Sequence, residues 1–190
     1  AYTEVLGRCD RSREDLLKYI GLPLMASFER HDEETANKLF DAYLRINCAH
    51  LANNEVDLFD GVLDELKRLK KLGVKQGIVT SKRRDSLMVT IELMGLEKFF
   101  DVFVVKDDTR KHKPDPEPIY YASEKLGIPT NRILYVGDAI GDIKCAINSG
   151  CDSALVSWSV MPKDEIMALE PTYVLKEIED LSCIINSQEL

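Results

Sequence analysis

The sequence predicts an open α/β fold, a parallel sheet covered by helices, preceded by a segment that is helical throughout. Three observations carry the prediction. Short β-rich runs return at intervals of roughly twenty residues, a spacing that suits parallel strands joined by helical crossovers. Helical apolar patterns fill those intervals, and the runs are bounded by Gly, Asp or Thr. Up to about Asn54 every periodic segment is helical, and no strand is needed there.

Taken in order, Ala36, Leu39, Phe40, Tyr43 and Leu44 fall on one helical face. EVDLFDGV (55–62) leads out of this segment, and Val62, Leu63, Leu66 and Leu69 then form a helical stripe. The β-rich runs are VKQGIVT (74–80), DVFVV (101–105), ILYVGD (133–138), SALVSW (153–158) and TYVL (172–175). Helical patterns over 85–94 and 117–126 separate the first three, and Ile140, Ile143 and Ile147 begin another directly after the third. Gly73, Gly95, Gly127 and Gly150 each follow a helical pattern, where a left-handed C-terminal cap is expected.

Composition narrows the function classes. A chain of 190 residues with 45% apolar content is enough for one well-buried domain with a small appended lobe. A net charge of −8 would repel nucleic acid and anionic lipid, and no apolar run approaches the length of a membrane span. No secretory leader is visible, so the expected location is the cytoplasm. Cys9, Cys48, Cys145, Cys151 and Cys183 form no CxxC pair and read as buried thiols. His31, His50 and His112 lack the spacing of metal ligands.

In open α/β sheets ligands bind beyond the carboxyl ends of the strands, so the residues ending each run are inspected first. The first run ends in Thr80 and Ser81, and the third in Asp138. Lys113 sits shortly after the second, in KHKPDPEP, whose prolines stiffen the loop. Hydroxyl, carboxylate and ammonium would meet at one edge. In YVGDAIGDIKCAINSG a strand stops at Asp138 and a helix starts at about Ala139, so Asp138 and Asp142 point toward the same edge. Two such carboxylates suit Mg²⁺, although an N-terminal cap with a first-turn acid accounts for them equally. SKRRD places Lys82, Arg83 and Arg84 at a helix start, where the dipole disfavours cations and a nearby anionic ligand would offset the cost.

VTSK at a strand end, then KPDPEP, then GDAIGD, in this order and spacing, resembles the haloacid dehalogenase-like hydrolases. Within them the chain is most similar to the phosphoglycolate phosphatase and pyrophosphatase group, including Ser157 and Trp158 after the penultimate strand. The resemblance implies a Rossmann-like three-layer core over residues 55–190 and a small all-helical cap over residues 1–54. It implies that Thr80, with Ser81 adjacent, binds the phosphoryl group and that Lys113 steadies it. Asp138 becomes the acidic metal ligand, and Asp142 the second acid, acting on the metal through water or by orienting Lys113. Gly21, Leu22 and Pro23 fall where the substrate-selecting loop of the cap is found. The implied activity is Mg²⁺-dependent hydrolysis of a small phosphorylated metabolite, phosphoglycolate-like, or of pyrophosphate, through an aspartyl phosphate. Alternatives are an inactive phosphate-binding homologue, a truncated chain, a phosphosugar mutase or, less consistent with the acid pair, a dehalogenase. The oligomeric state is not readable.

The family nucleophile is the first aspartate of a DxDG loop that ends an apolar strand. Asp57 and Asp60 have the wrong separation for it and follow no such strand, so EVDLFDGV reads as the return from cap to core. The nucleophile strand is therefore expected in an N-terminal extension. Without it, the strands ending in Thr80 and Asp138 would face each other across roughly 10 Å with unpaired ladder groups, a defect that an ordinary fold should not survive.

Overall fold

The computed structural model describes residues 1–53 and 57–188. The expected hinge lies partly outside them, at residues 54–56, as does the expected boundary between cap and core.

The N-terminal segment forms α1 (Tyr2–Leu6), α2 (Arg13–Leu17), a 3₁₀ turn (Leu24–Phe28) and the long α3 (Glu33–Ala52). Asp32 starts α3 by accepting the Thr35 N–H at 2.9 Å. Tyr2, Phe28, Ala36 and Leu39 make a small core of their own. Of the predicted helical face, Ala36 and Leu39 are buried, whereas Tyr43 stays exposed because the packed stripe continues through Ala42 and Leu51 instead.

The α/β region runs α4 (Val62–Lys71), β1 (Gly77–Val79), α5 (Arg84–Leu93), β2 (Val102–Val104), α6 (Glu117–Leu126), β3 (Leu134–Gly137), α7 (Ile140–Ser149), β4 (Asp152–Val156), α8 (Lys163–Met167), β5 (Tyr173–Leu175) and α9 (Asp180–Gln188). All five expected strands are present and every pairing is parallel. The four expected glycine caps have φ between 64° and 75°. Strand alternation sorts the helices into two outer layers. Ala154 and Val156 of β4 pack with Leu69 of α4 and Leu181 of α9, while Leu155 between them packs with Ile143 of α7 and Ile166 of α8. In β2, Val102 and Val104 meet Ala122 of α6, and Phe103 turns to the α5 side.

The sheet is divided. β1 pairs with β2, and β3 with β4 and then β5, but β1 and β3 do not pair with each other. Each therefore has a free edge beside the site. Helices straddle the seam between the two halves. In α4, Leu66 packs with the β1 half and Leu69 with the β4 half.

Candidate active site at the strand ends

The site forms where β1 and β3 end. Lys113 lies on the loop before α6, and that loop is held from several sides. Both oxygens of Glu117 accept backbone N–H groups, of Arg110 and Lys111, at 3.0 Å. From α7, the Asn148 amide donates to the Pro114 carbonyl at 2.9 Å and the Cys145 thiol to the Asp115 carbonyl at 3.1 Å. Burial pushes the Cys145 thiol up to about 12; Cys145 and Cys151 are buried as expected, whereas Cys48 is partly exposed and Cys9 and Cys183 are exposed, which corrects the expectation for them. So braced, the Lys113 ammonium meets Asp142 Oδ1 at 2.7 Å, with side-chain exposures of only 10% and 7%.

Asp142 is saturated. Its Oδ1 also receives the Tyr135 hydroxyl at 3.3 Å, and its Oδ2 accepts the backbone N–H groups of Asp138 at 3.3 Å and Ala139 at 3.1 Å. These four contacts use the acceptor capacity of a carboxylate. The side chain lies over Gly137, where any Cβ would overlap that of Asp142, which is why the strand must end in glycine. Asp138 and Asp142 do share one edge, as their spacing predicts, but they differ in availability. Asp138 is only half-buried, and its side chain closes no ion pair among the described residues. Its pKa is raised, first by burial and then by the Asp142 carboxylate beside it.

Thr80 extends the β1–β2 ladder through its N–H to the Val104 carbonyl at 2.9 Å. Its hydroxyl oxygen accepts the Lys82 N–H at 3.2 Å, and among the described residues the hydroxyl proton has no acceptor. Ser81 differs, because its hydroxyl donates to the Gly21 carbonyl of the cap at 3.0 Å. Thr80, Ser81 and Lys113 line one small cavity together with Lys106, Thr109 and His112. Two of the three cations of SKRRD have protein partners: Arg84 pairs with Asp108 at 2.7 Å and Arg83 approaches Asp107 at 3.9 Å. A bound anion is therefore not needed to offset the two arginines, whereas Lys82 makes no ion pair among the described residues and burial lowers its pKa.

Two contributors escaped the sequence reading. The Tyr135 hydroxyl lies between Asp142 and the Val79 carbonyl, 3.2 Å away, and so spans the seam from β3 to β1. The Ser159 hydroxyl donates to the Asp138 carbonyl at 2.5 Å and fixes the end of β3. Asp57 and Asp60 are exposed and belong to no strand. Nearby, Phe59 approaches the Trp158 ring at 6.1 Å.

The donor set fits a hard divalent cation held mainly by non-protein oxygens. Asp138 is the half-buried carboxylate at the strand end, its pKa is raised first by burial and then by the Asp142 carboxylate, whose repulsion a cation would offset, and Mg²⁺ keeps several waters and phosphate oxygens in its shell. No group of three His, Cys, Asp or Glu side chains converges among the described residues. No helix among them is long and apolar enough to cross a membrane.

The family model for haloacid dehalogenase-like hydrolases matches residues 2–156. The pyrophosphatase PpaX of Halalkalibacterium halodurans is 36% identical over 174 residues, covering 92% of this chain and 80% of the relative. A hydrolase from Pseudomonas syringae superposes with a TM-score of 0.82 at 21% identity, over 98% of this chain and 89% of the other. A Lactobacillus plantarum protein provisionally assigned as a phosphoglycolate phosphatase superposes with a TM-score of 0.79 at 23% identity, over 94% and 86%. The last two show likeness of fold.

Proposed function

Because the chain belongs to the haloacid dehalogenase-like hydrolases, we propose that it is the cap and phosphoryl-binding core of a Mg²⁺-dependent phosphatase acting on a small phosphomonoester or on pyrophosphate. The observation that carries the reading is the nearly buried Lys113 ammonium, fixed by Asp142 at the strand ends that also present Thr80 and Asp138. A held cation of this kind stabilises the charge of a transferring phosphoryl group without having to reorganise during the reaction. Thr80 donates its free hydroxyl proton to a phosphoryl oxygen. Asp142 keeps Lys113 in place and leaves Asp138 to hold Mg²⁺, which when bound supplies charge neutralisation at the phosphate.

The attacking group in this reading is a carboxylate on a strand seated between the free edges of β1 and β3, giving an aspartyl phosphate that water then hydrolyses. The division of the sheet supports that position, since a strand there would end between Thr80 and Asp138. The 36% identity with a pyrophosphatase supports pyrophosphate as a substrate to test first, with phosphoglycolate second. Gly21 touches Ser81 and Ala139 from the cap, and in this reading it and the adjoining Leu22 and Pro23 are the selectors of substrate size.

The experiment is phosphate release from pyrophosphate and phosphoglycolate by the natural full-length protein, wild type against Asp138→Asn. The substitution is expected to lower turnover by about a hundredfold or more, the scale for losing one charge-stabilising group. Equal turnover in saturating Mg²⁺ would defeat the assignment.

A further inference from the structure

The turn at Gly21 touches the site from the cap in two places. Ser81 Oγ donates to the Gly21 carbonyl at 3.0 Å. Gly21 itself, at φ +83°, comes so near Ala139 that an added Cβ would lie 2.9 Å from the Ala139 Cβ. Ser81 follows Thr80 and Ala139 follows Asp138, so a single turn of the cap rests on loops from both halves of the divided sheet.

That turn is also stiffened from its own side. The Arg11 guanidinium lies 5.1 Å from the centre of the Tyr19 ring and 5.6 Å from that of Tyr2, and it donates to the Ser27 carbonyl at 3.3 Å. The Leu22 N–H closes back onto the Tyr19 carbonyl at 3.1 Å. A braced turn with two footholds transmits displacement to the rest of the cap. A loose loop would absorb it.

We propose that Ser81 is a positioning residue whose hydroxyl latches the Gly21 turn over the phosphoryl site. Its proton is committed to the cap, so it does not serve as the second phosphate donor beside Thr80. The latch forms when the Thr80 loop and the Asp138 loop are in register, because Gly21 must meet Ser81 and Ala139 together. Closure of the cap thereby reports that the two halves of the site are assembled. The catalytic consequence rests on the phosphatase reading, whereas the contact itself does not.

The test compares the natural full-length protein with Ser81→Ala, Ser81→Thr and Gly21→Ala. Amide hydrogen exchange over residues 19–26 is expected to quicken about fivefold in Ser81→Ala, the effect of one ordinary hydrogen bond. Exchange in the middle of α3 should stay as it is, and Ser81→Thr, which keeps the hydroxyl, should restore the slow rate. Gly21→Ala should quicken the same amides at least as much, because it removes the Ala139 foothold. KM for pyrophosphate is expected to rise by a similar factor in Ser81→Ala with kcat little changed. Unchanged exchange in Ser81→Ala overturns the latch whatever the activity, and a fall in kcat alone with unchanged exchange returns Ser81 to the phosphate ligands. Quickened exchange in a protein that hydrolyses neither pyrophosphate nor phosphoglycolate keeps the latch and overturns the phosphatase reading.

Discussion

The two halves of the divided sheet bring unlike groups to the site. The β3–β4–β5 half supplies the carboxylates, Asp142 with its four hydrogen-bond contacts and Asp138 beside it, together with the α7 contacts that hold the loop of Lys113, a cation that itself follows β2. The β1–β2 half supplies hydroxyls, one with an uncommitted proton at Thr80 and one turned to the cap at Ser81. The difference shows where organisation is needed before a ligand arrives. A buried charge must be paired at once or it destabilises the fold, whereas a half-exposed hydroxyl tolerates waiting for its acceptor.

That contrast breaks most visibly at Lys113. Replacing it by methionine leaves Asp142 buried without its counter-ion, and urea unfolding should show a loss of about 3–5 kcal/mol. A loss under about 1 kcal/mol would mean that Tyr135 and the two backbone N–H groups suffice for the carboxylate.

A smaller effect is expected across the seam. Tyr135→Phe removes the hydroxyl between Asp142 and the Val79 carbonyl, and the 190-residue chain should lose about 1 kcal/mol in the same assay. An unchanged midpoint would assign the joining of the halves to α4 alone, through Leu66 and Leu69.

How much of this was legible in the sequence follows from the distances over which each feature is set. The strands, helix starts and glycine caps are local, and the five β-rich runs and their glycines appear where the pattern puts them. Thr80, Lys113 and Asp138 were readable because an open parallel sheet collects its strand ends at one edge. For Asp142 the resemblance left two roles open, action on the metal through water or the orienting of Lys113, because the contact that favours the second is made with a lysine 29 positions away. Nothing in the run ILYVGD marks Tyr135 out, because its partner at Val79 is 56 positions distant. Arg83 and Arg84 misled for the same reason, because the acids that pair with them lie on the loop after β2.

Thr80→Val is the substitution that changes stability least, by under about 0.5 kcal/mol, since it swaps a half-exposed hydroxyl for a methyl of similar shape. It also tests the central claim most directly, that the free hydroxyl of Thr80 and the Lys113 ammonium held by Asp142 of the other half grip the same phosphoryl group. The measurement is calorimetric titration of inorganic phosphate in Mg²⁺ into the natural full-length protein, wild type against Thr80→Val. The account predicts affinity lower by about tenfold, the worth of a hydrogen bond to a charged group, with the melting temperature unchanged. Equal affinity in the two proteins would contradict it.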